Sequence, residues 1–261
     1  MSNSGLFKCL PDKLKVNKGK GVMKKLNVRN YVLVHGAWHG GWVWRQVADV
    51  LRAMGHTVTT PTLTGLGERK HLASQRPDLL MHVEDVVANI HLEGLSNIVL
   101  VGWSYGGMVI SGVLEKIQED VASMIYLDAF MPEKGQAVID CVEPAAAGAF
   151  QGFIDQEKDI PPIIPLEVFG VDDPTVREFV NPRLVPQPFR TFVQPSTALA
   201  ERPSGIPHTY IRCSGFPEPS LDAFLASAQG DSKFDARVMN TSHLAMLTDP
   251  RGLSEILANA E

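Results

Sequence analysis

Long apolar runs are missing from this chain. No stretch approaches the roughly 18 residues that a membrane-spanning helix requires, so no membrane partner is expected. Cysteine is scarce as well. Cys9, Cys141 and Cys213 are far apart and odd in number, which argues against a disulfide framework and against thiolate metal spacing; a reducing, cytoplasmic compartment is expected. An excess of positive charge is also lacking. The chain carries 24 Lys and Arg against 29 Asp and Glu, a net charge of -5, whereas a nucleic-acid partner requires a basic surface. There are no repeats and no low-complexity tracts. The first 29 residues are lysine-rich and lack the apolar stretch and small-residue cleavage site of a secretory signal. Residues 1–27 are expected to be a disordered, solvated extension, and both Met1 and Met23 stand as candidate starts.

What is present is an ordinary globular composition, 44% apolar and 20% charged over 261 residues. That suffices for one large α/β domain, or a core with an insertion. Short β-branched runs alternate with helical patterns: NYVLVHG (30–36), HTVTTPTL, NIVLVG, VASMIYLDAF (121–130), HTYIRCSG (208–215) and KFDARVMN as strands; WVWRQVADVLRAMG (42–55), MHVEDVVANIHLEGL (81–95), YGGMVISGVLEKIQ, SLDAFLASAQG and LSEILANA as helices. Such alternation predicts a parallel sheet covered on both faces. The pattern breaks between residues 131 and 205. Twelve of the 18 prolines fall between Pro132 and Pro207, so an insertion is expected there. Residues 28–130 and 206–261 are then the core.

Within the core, GWSYG (102–106) sits where a strand must turn at once into a helix. A corner that sharp strains its central residue and needs small neighbours, here Gly102 and Gly106. It projects Ser104 above the carboxyl ends of the strands, where parallel sheets bind ligands, and the following helix turns its amide N–H groups to the same spot. A serine nucleophile needs a base and a group that orients the base. Of the eight histidines, His243 in VMNTSHLAMLTDP alone follows the last strand in a loop before a helix. The glycine-rich loop HGAWHGGWVW (35–44) lets backbone approach a substrate closely. Its Ala37 N–H, paired with the Tyr105 N–H, is the candidate oxyanion hole. Gly36, Trp38 and Trp103 are candidate substrate contacts. Phe150, Phe153, Ile163, Ile164, Phe169, Phe179 and Phe192 supply apolar material for the insertion's own core and for a pocket.

Together VLVHGAWHGGWVW, VGWSYGGMV, LDAFMP and SHLAMLTDP resemble the α/β-hydrolase superfamily, and within it the small esterases related to plant methyl-ester esterases and hydroxynitrile lyases, with their bacterial carboxylesterase relatives. The similarity covers about residues 30–261. It implies a mostly parallel eight-stranded sheet with helices on both faces and a helical cap inserted after the sixth strand, and it implies no metal and no organic cofactor. Two departures stand out. The lyases carry Thr after the His of the first loop and Lys after the catalytic His, where this chain has Gly36 and Leu244; that favours hydrolysis. Relatives usually place the acid after the seventh strand, where this chain has Gly215, Phe216 and Pro217, with Glu218 and Asp222 further on. Asp128 ends the preceding strand instead and is the preferred acid, with Glu218 and Asp222 as alternatives.

The expected activity is hydrolysis of a small, largely apolar ester, lactone, carbamate or anilide by Ser104, His243 and Asp128 through an acyl-enzyme. A small-molecule receptor on a hydrolase scaffold, and a cofactor-free lyase or oxygenase on the same fold, are the rival expectations. The expected partner is a small-molecule substrate, and a homodimer is left open.

Overall fold

β-Branched and aliphatic residues dominate Asn30–Val34 (β1), Thr57–Thr59 (β2), Ile98–Trp103 (β3), Val121–Leu127 (β4), His208–Cys213 (β5) and Phe234–Met239 (β6). In the computed structural model, which describes residues 28–260, these runs form one sheet in the order β2-β1-β3-β4-β5-β6. Every neighbouring pair is parallel. All six residues of β3 are buried, so both faces are covered at the centre of the sheet, as a parallel sheet requires. The expectation of eight strands is corrected to six among the described residues. The strand that ends at Leu127 was counted sixth by resemblance and is the fourth here. The expected extension over residues 1–27 lies outside the described residues.

The helices follow the apolar periodicity, with ends set by caps. Arg45–Ala53 (α1) follows a single 3₁₀ turn at Gly41–Trp44, and Gly55, at φ +94°, closes its C-terminus. Leu79–Leu92 (α2) starts two residues earlier than the apolar pattern suggests, because the Asp78 carboxylate accepts from Met81 N–H at 3.0 Å. Gly106–Lys116 (α3) packs against α2. Between β4 and β5 lie Val138–Cys141 (α4), Pro144–Ile154 (α5), Pro174–Val180 (α6) and Arg190–Val193 (α7), joined by proline-rich turns. Pro219–Gly230 (α8) links β5 to β6; Ala245–Thr248 (α9) and Pro250–Ala258 (α10) close the chain, with α10 against α1. No helix among the described residues is long and apolar enough to cross a membrane.

The order of strands places the site. From β1 the chain passes outward to β2, then returns to β3 on the other side of β1. Loops leaving the carboxyl ends of β1 and β3 therefore diverge and leave a crevice between them. Val34 of β1 is in register with Gly102 of β3, so the 35–44 loop and the GWSYG corner leave the sheet side by side.

Close approach of backbone explains the glycines at this corner. A Cβ on Gly102 would lie 2.6 Å from Gly106 O, and one on Gly106 would lie 2.7 Å from Val34 O; one on Gly107 would overlap Phe130 O. Gly148 in α5 meets nothing within 4 Å. Gly107→Ala is therefore expected to lower stability by about 2–3 kcal/mol through overpacking, whereas Gly148→Ala raises it by roughly 0.5–1 kcal/mol by restricting the unfolded chain. Urea-unfolding midpoints at unchanged m-value report both; equal midpoints would contradict the account of the corner.

Candidate active site

Ser104 and Asp128 both hold left-handed backbone, at φ +54° and +44°. Such residues cost on the order of 1–3 kcal/mol each unless surrounding contacts enforce them. Here the two corners hold each other. Ser104 N–H donates to Leu127 O at 3.2 Å, Phe130 N–H donates to Ser104 O at 3.2 Å, and Asp128 N–H donates to Ile211 O at 2.7 Å. The serine turn after β3 is thus stitched to the aspartate turn after β4, and that turn to β5.

Asp128 is fully buried, and its carboxylate is filled from two sides. Oδ2 accepts from His243 Nδ1 at 2.7 Å. Oδ1 accepts from Arg212 Nη1 at 2.8 Å and from Cys213 N–H at 2.9 Å. The two alternative acids are occupied elsewhere: Glu218 caps α8 and accepts from Ser220 Oγ at 2.6 Å, and Asp222 accepts from Arg212 Nε at 2.8 Å. Among the described residues neither bonds the imidazole. The turn after β5 also has no room for an acid at its tip, since a Cβ on Gly215 would lie 2.6 Å from Thr241 O. His243 is held by its backbone as well, its N–H donating to Phe169 O at 2.9 Å and its carbonyl accepting from Trp103 Nε1 at 2.8 Å. The rings of Trp103, Phe169 and Phe216 surround the imidazole with centroids 5.2, 5.3 and 4.8 Å away.

Neutral histidines fix the 35–44 loop. Burial drives His35 to a pKa of about 3 and His39 to about 4. His35 Nδ1–H donates to Gly36 O at 2.8 Å, while its Nε2 accepts from Leu63 N–H at 3.1 Å. The Gly36 carbonyl belongs to the same peptide plane as Ala37 N–H, so this bond aims that N–H the opposite way. His39 Nδ1–H donates to Ala37 O at 2.7 Å. Trp38, itself left-handed at φ +63°, donates its N–H to Gln187 Oε1 at 3.1 Å, and its ring Nε1–H to Ile160 O at 2.9 Å. Among the described residues the Ala37 and Tyr105 amides have no hydrogen-bond partner. Tyr105 hydroxyl donates to the third buried histidine, His82, whose Nε2–H is given to Thr64 O.

Ser104 and His243 line one narrow cavity of about 70 Å³ together with Ala37, Trp38, Phe150 and Phe216. The segment between β4 and β5 supplies much of the wall, including Phe150, Ile164, Phe169 and Phe192. Of the other apolar candidates in that segment, Phe153 is partly buried against the core, Ile163 is exposed, and Phe179 packs on Trp42. Gly36 lies against Ser104: a Cβ there would be 3.0 Å from both Ser104 Cβ and Trp103 Cε3. Trp103 is not part of the cavity wall. Its side chain turns back over the sheet and supports His243 from behind. A larger cleft of about 680 Å³, lined by Trp42, Arg45, Arg52, Lys70 and Arg183, contains none of Ser104, Asp128 and His243. Among the described residues no group of three His, Cys, Asp or Glu side chains is placed to hold a metal ion.

Sequence reasoning missed Arg212, Gln187, Phe216 and the structural part played by His35 and His39. Arg212 left one trace, a lone cation inside the apolar run HTYIRC. Gln187 left none, because its partner Trp38 is 149 residues away.

Two outcomes follow. Four buried histidines have depressed pKa values through burial: His35 at about 3, and His39, His82 and His208 at about 4. An unfolded histidine titrates near 6.5, so between about pH 6.5 and 4 the unfolded chain binds more protons and stability falls as pH falls. The melting temperature should hold steady from pH 8 to 7 and drop progressively below 6.5; a flat profile to pH 4.5 would contradict this. Asp128→Asn should lower kcat by about 10⁴, as loss of tautomer control does in such a triad, while Glu218→Gln and Asp222→Asn stay within about tenfold. The opposite ranking would move the acid elsewhere.

Comparison with known proteins supplies the family. The profile of the Alpha/beta hydrolase family matches residues 31–256. A carbendazim hydrolyzing esterase of Nocardioides sp. (strain SG-4G) is 37% identical over 238 residues, 88% of this chain and 98% of that protein. Methylesterase 1 of Arabidopsis thaliana is 34% identical over 107 residues, 40% of this chain and 41% of that one. Among solved structures, an extracellular alpha/beta-hydrolase from a Paenibacillus species superposes with a TM-score of 0.75 at 23% identity, covering 89% of this chain and 98% of its own, a likeness of fold. The chain belongs to the Alpha/beta hydrolase family.

Proposed function

We propose that the protein is a serine esterase that cleaves a small ester or carbamate with a flat apolar acyl part. The observation that carries this is the 2.7 Å bond from His243 Nδ1 to a buried Asp128, with His243 and Ser104 on the same cavity. In this reading His243 Nε2 takes the Ser104 proton as Oγ attacks the acyl carbon. The oxyanion is received by the Ala37 and Tyr105 amides, which have no hydrogen-bond partner among the described residues. His243 then gives its proton to the departing alkoxide, the alcohol leaves, and water repeats the sequence on the acyl-enzyme. An ester yields an acid, and a carbamate yields a carbamic acid that loses carbon dioxide to leave an amine.

The substrate class rests on the wall and on the relative. The cavity is rich in aromatic and aliphatic groups, with Trp38, Phe130, Phe150, Phe192 and Leu221 among them. The relative that matches along its whole length is a carbendazim hydrolyzing esterase, and carbendazim is a methyl carbamate on a fused aromatic ring. Residues 131–205 act as a cap in this reading. Ligand pockets for molecules of that size occupy roughly 300–1,000 Å³, so α4, α5 and α7 must part from the 35–44 loop to admit one. Cyanohydrin cleavage fits poorly. Leu244 is buried and offers no ammonium to a departing cyanide, and the Gly36 position has no space for a threonine beside Ser104. The cytoplasmic location belongs to the same reading and is supported by Cys141 and Cys213, both buried free thiols.

The test is a panel of p-nitrophenyl esters, methyl benzoate, carbendazim and mandelonitrile, with methanol, acid, amine and aldehyde measured. Methanol release from the methyl compounds, abolished in Ser104→Ala, is expected, with Gly36→Thr at least about tenfold slower because near-attack geometry is lost. Aldehyde from mandelonitrile with no ester turnover, or tight binding with no turnover at all, would overturn the proposal.

A further inference from the structure

We infer that Arg212 is a positioning residue: through its planar fork it holds the Asp128 carboxylate in register with His243. This rests on the serine reading above.

The guanidinium is spent in full. Nη1 donates to Asp128 Oδ1 at 2.8 Å and to Cys213 O at 2.6 Å. Nη2 donates to Phe216 O at 2.6 Å and to Glu218 O at 3.4 Å. Nε donates to Asp222 Oδ1 at 2.8 Å. Five N–H groups meet five acceptors, so the plane of the fork cannot rotate without losing several bonds at once. Its side chain is 3% exposed and that of Asp128 is 0% exposed, and a buried carboxylate with a single imidazole partner would carry an uncompensated charge. Arg212 supplies the compensation. It also holds one wall of the imidazole cage, since the residue whose carbonyl it grips, Phe216, places its ring 4.8 Å from His243.

Nothing else among the described residues stands in for the fork. The far oxygen of Asp128 otherwise accepts only from the Cys213 N–H, at 2.9 Å. Asp222, whose side chain is 62% exposed, bonds the side of the fork remote from Asp128.

The experiment measures kcat and KM at pH 8 with p-nitrophenyl butyrate, with the melting temperature beside them. Arg212→Lys keeps the charge and loses the fork. Its kcat should fall at least tenfold with KM within about twofold, and Arg212→Met should lose at least as much. Asp222→Asn should leave both constants within about twofold. Parental kcat in Arg212→Met, with only the melting temperature lowered, would make the residue merely structural and overturn the inference. If Arg212→Met does not fold, Arg212→Lys decides: parental kcat there overturns the positioning claim. Ser104→Ala in the same assay separates the two levels, because activity surviving in it overturns the serine reading, whereas a dead Ser104→Ala beside Arg212 variants of parental kcat overturns only the role of Arg212.

Discussion

The buried carboxylate of Asp128 is the constraint around which the carboxyl end of the sheet is arranged. A charge with no exposure survives only when its lone pairs are met, and meeting them draws two further segments to the end of β4: β5, through Arg212 and Cys213, and the last loop, through His243. The backbone of Asp128 is bent into the left-handed region so that its side chain reaches all three. The same bend frees Leu127 O and Phe130 N–H to hold the Ser104 corner. Asp128, His243 and Ser104, the proposed acid, base and nucleophile, are therefore positioned by one set of contacts.

The wall across from them is organised by hydrogen bonds that burial makes selective. A histidine kept neutral by burial has one donor and one acceptor, and His35 uses both to fix the peptide that carries Ala37 N–H. Trp38 then joins this loop to the segment between β4 and β5, accepting Val185 N–H at its carbonyl and giving its own N–H to Gln187. In the proposed reading, movement of that segment to admit substrate would act on the loop that carries the proposed oxyanion donor.

The six strands were legible because each is a short β-branched run bounded by glycine or polar residues, and the nearness of His243 to Asp128 and to the cavity that Ser104 lines was foreshadowed by strand-end and loop placement. Local pattern failed where the cause is distant. The eight-strand count came from resemblance alone, and the described residues contain six. Trp103 looked like a pocket residue beside Ser104, but side chains on successive strand residues point to opposite faces, and its ring lies behind His243. Arg212 and Gln187 act through partners 84 and 149 residues away, and no periodicity encodes such pairings. The glycine at position 215 is explained by the Thr241 carbonyl, 2.6 Å from where a Cβ would lie.

The central claim is that Ser104 is the nucleophile of this arrangement. Incubation with a p-nitrophenyl alkylphosphonate followed by peptide mass mapping tests it most directly, because the phosphonyl group stays on the oxygen that attacks. The account predicts one adduct per chain, on the peptide containing Ser104, forming in step with the loss of esterase activity and suppressed in His243→Ala. An adduct on another residue, or full inactivation with Ser104 unmodified, would contradict it.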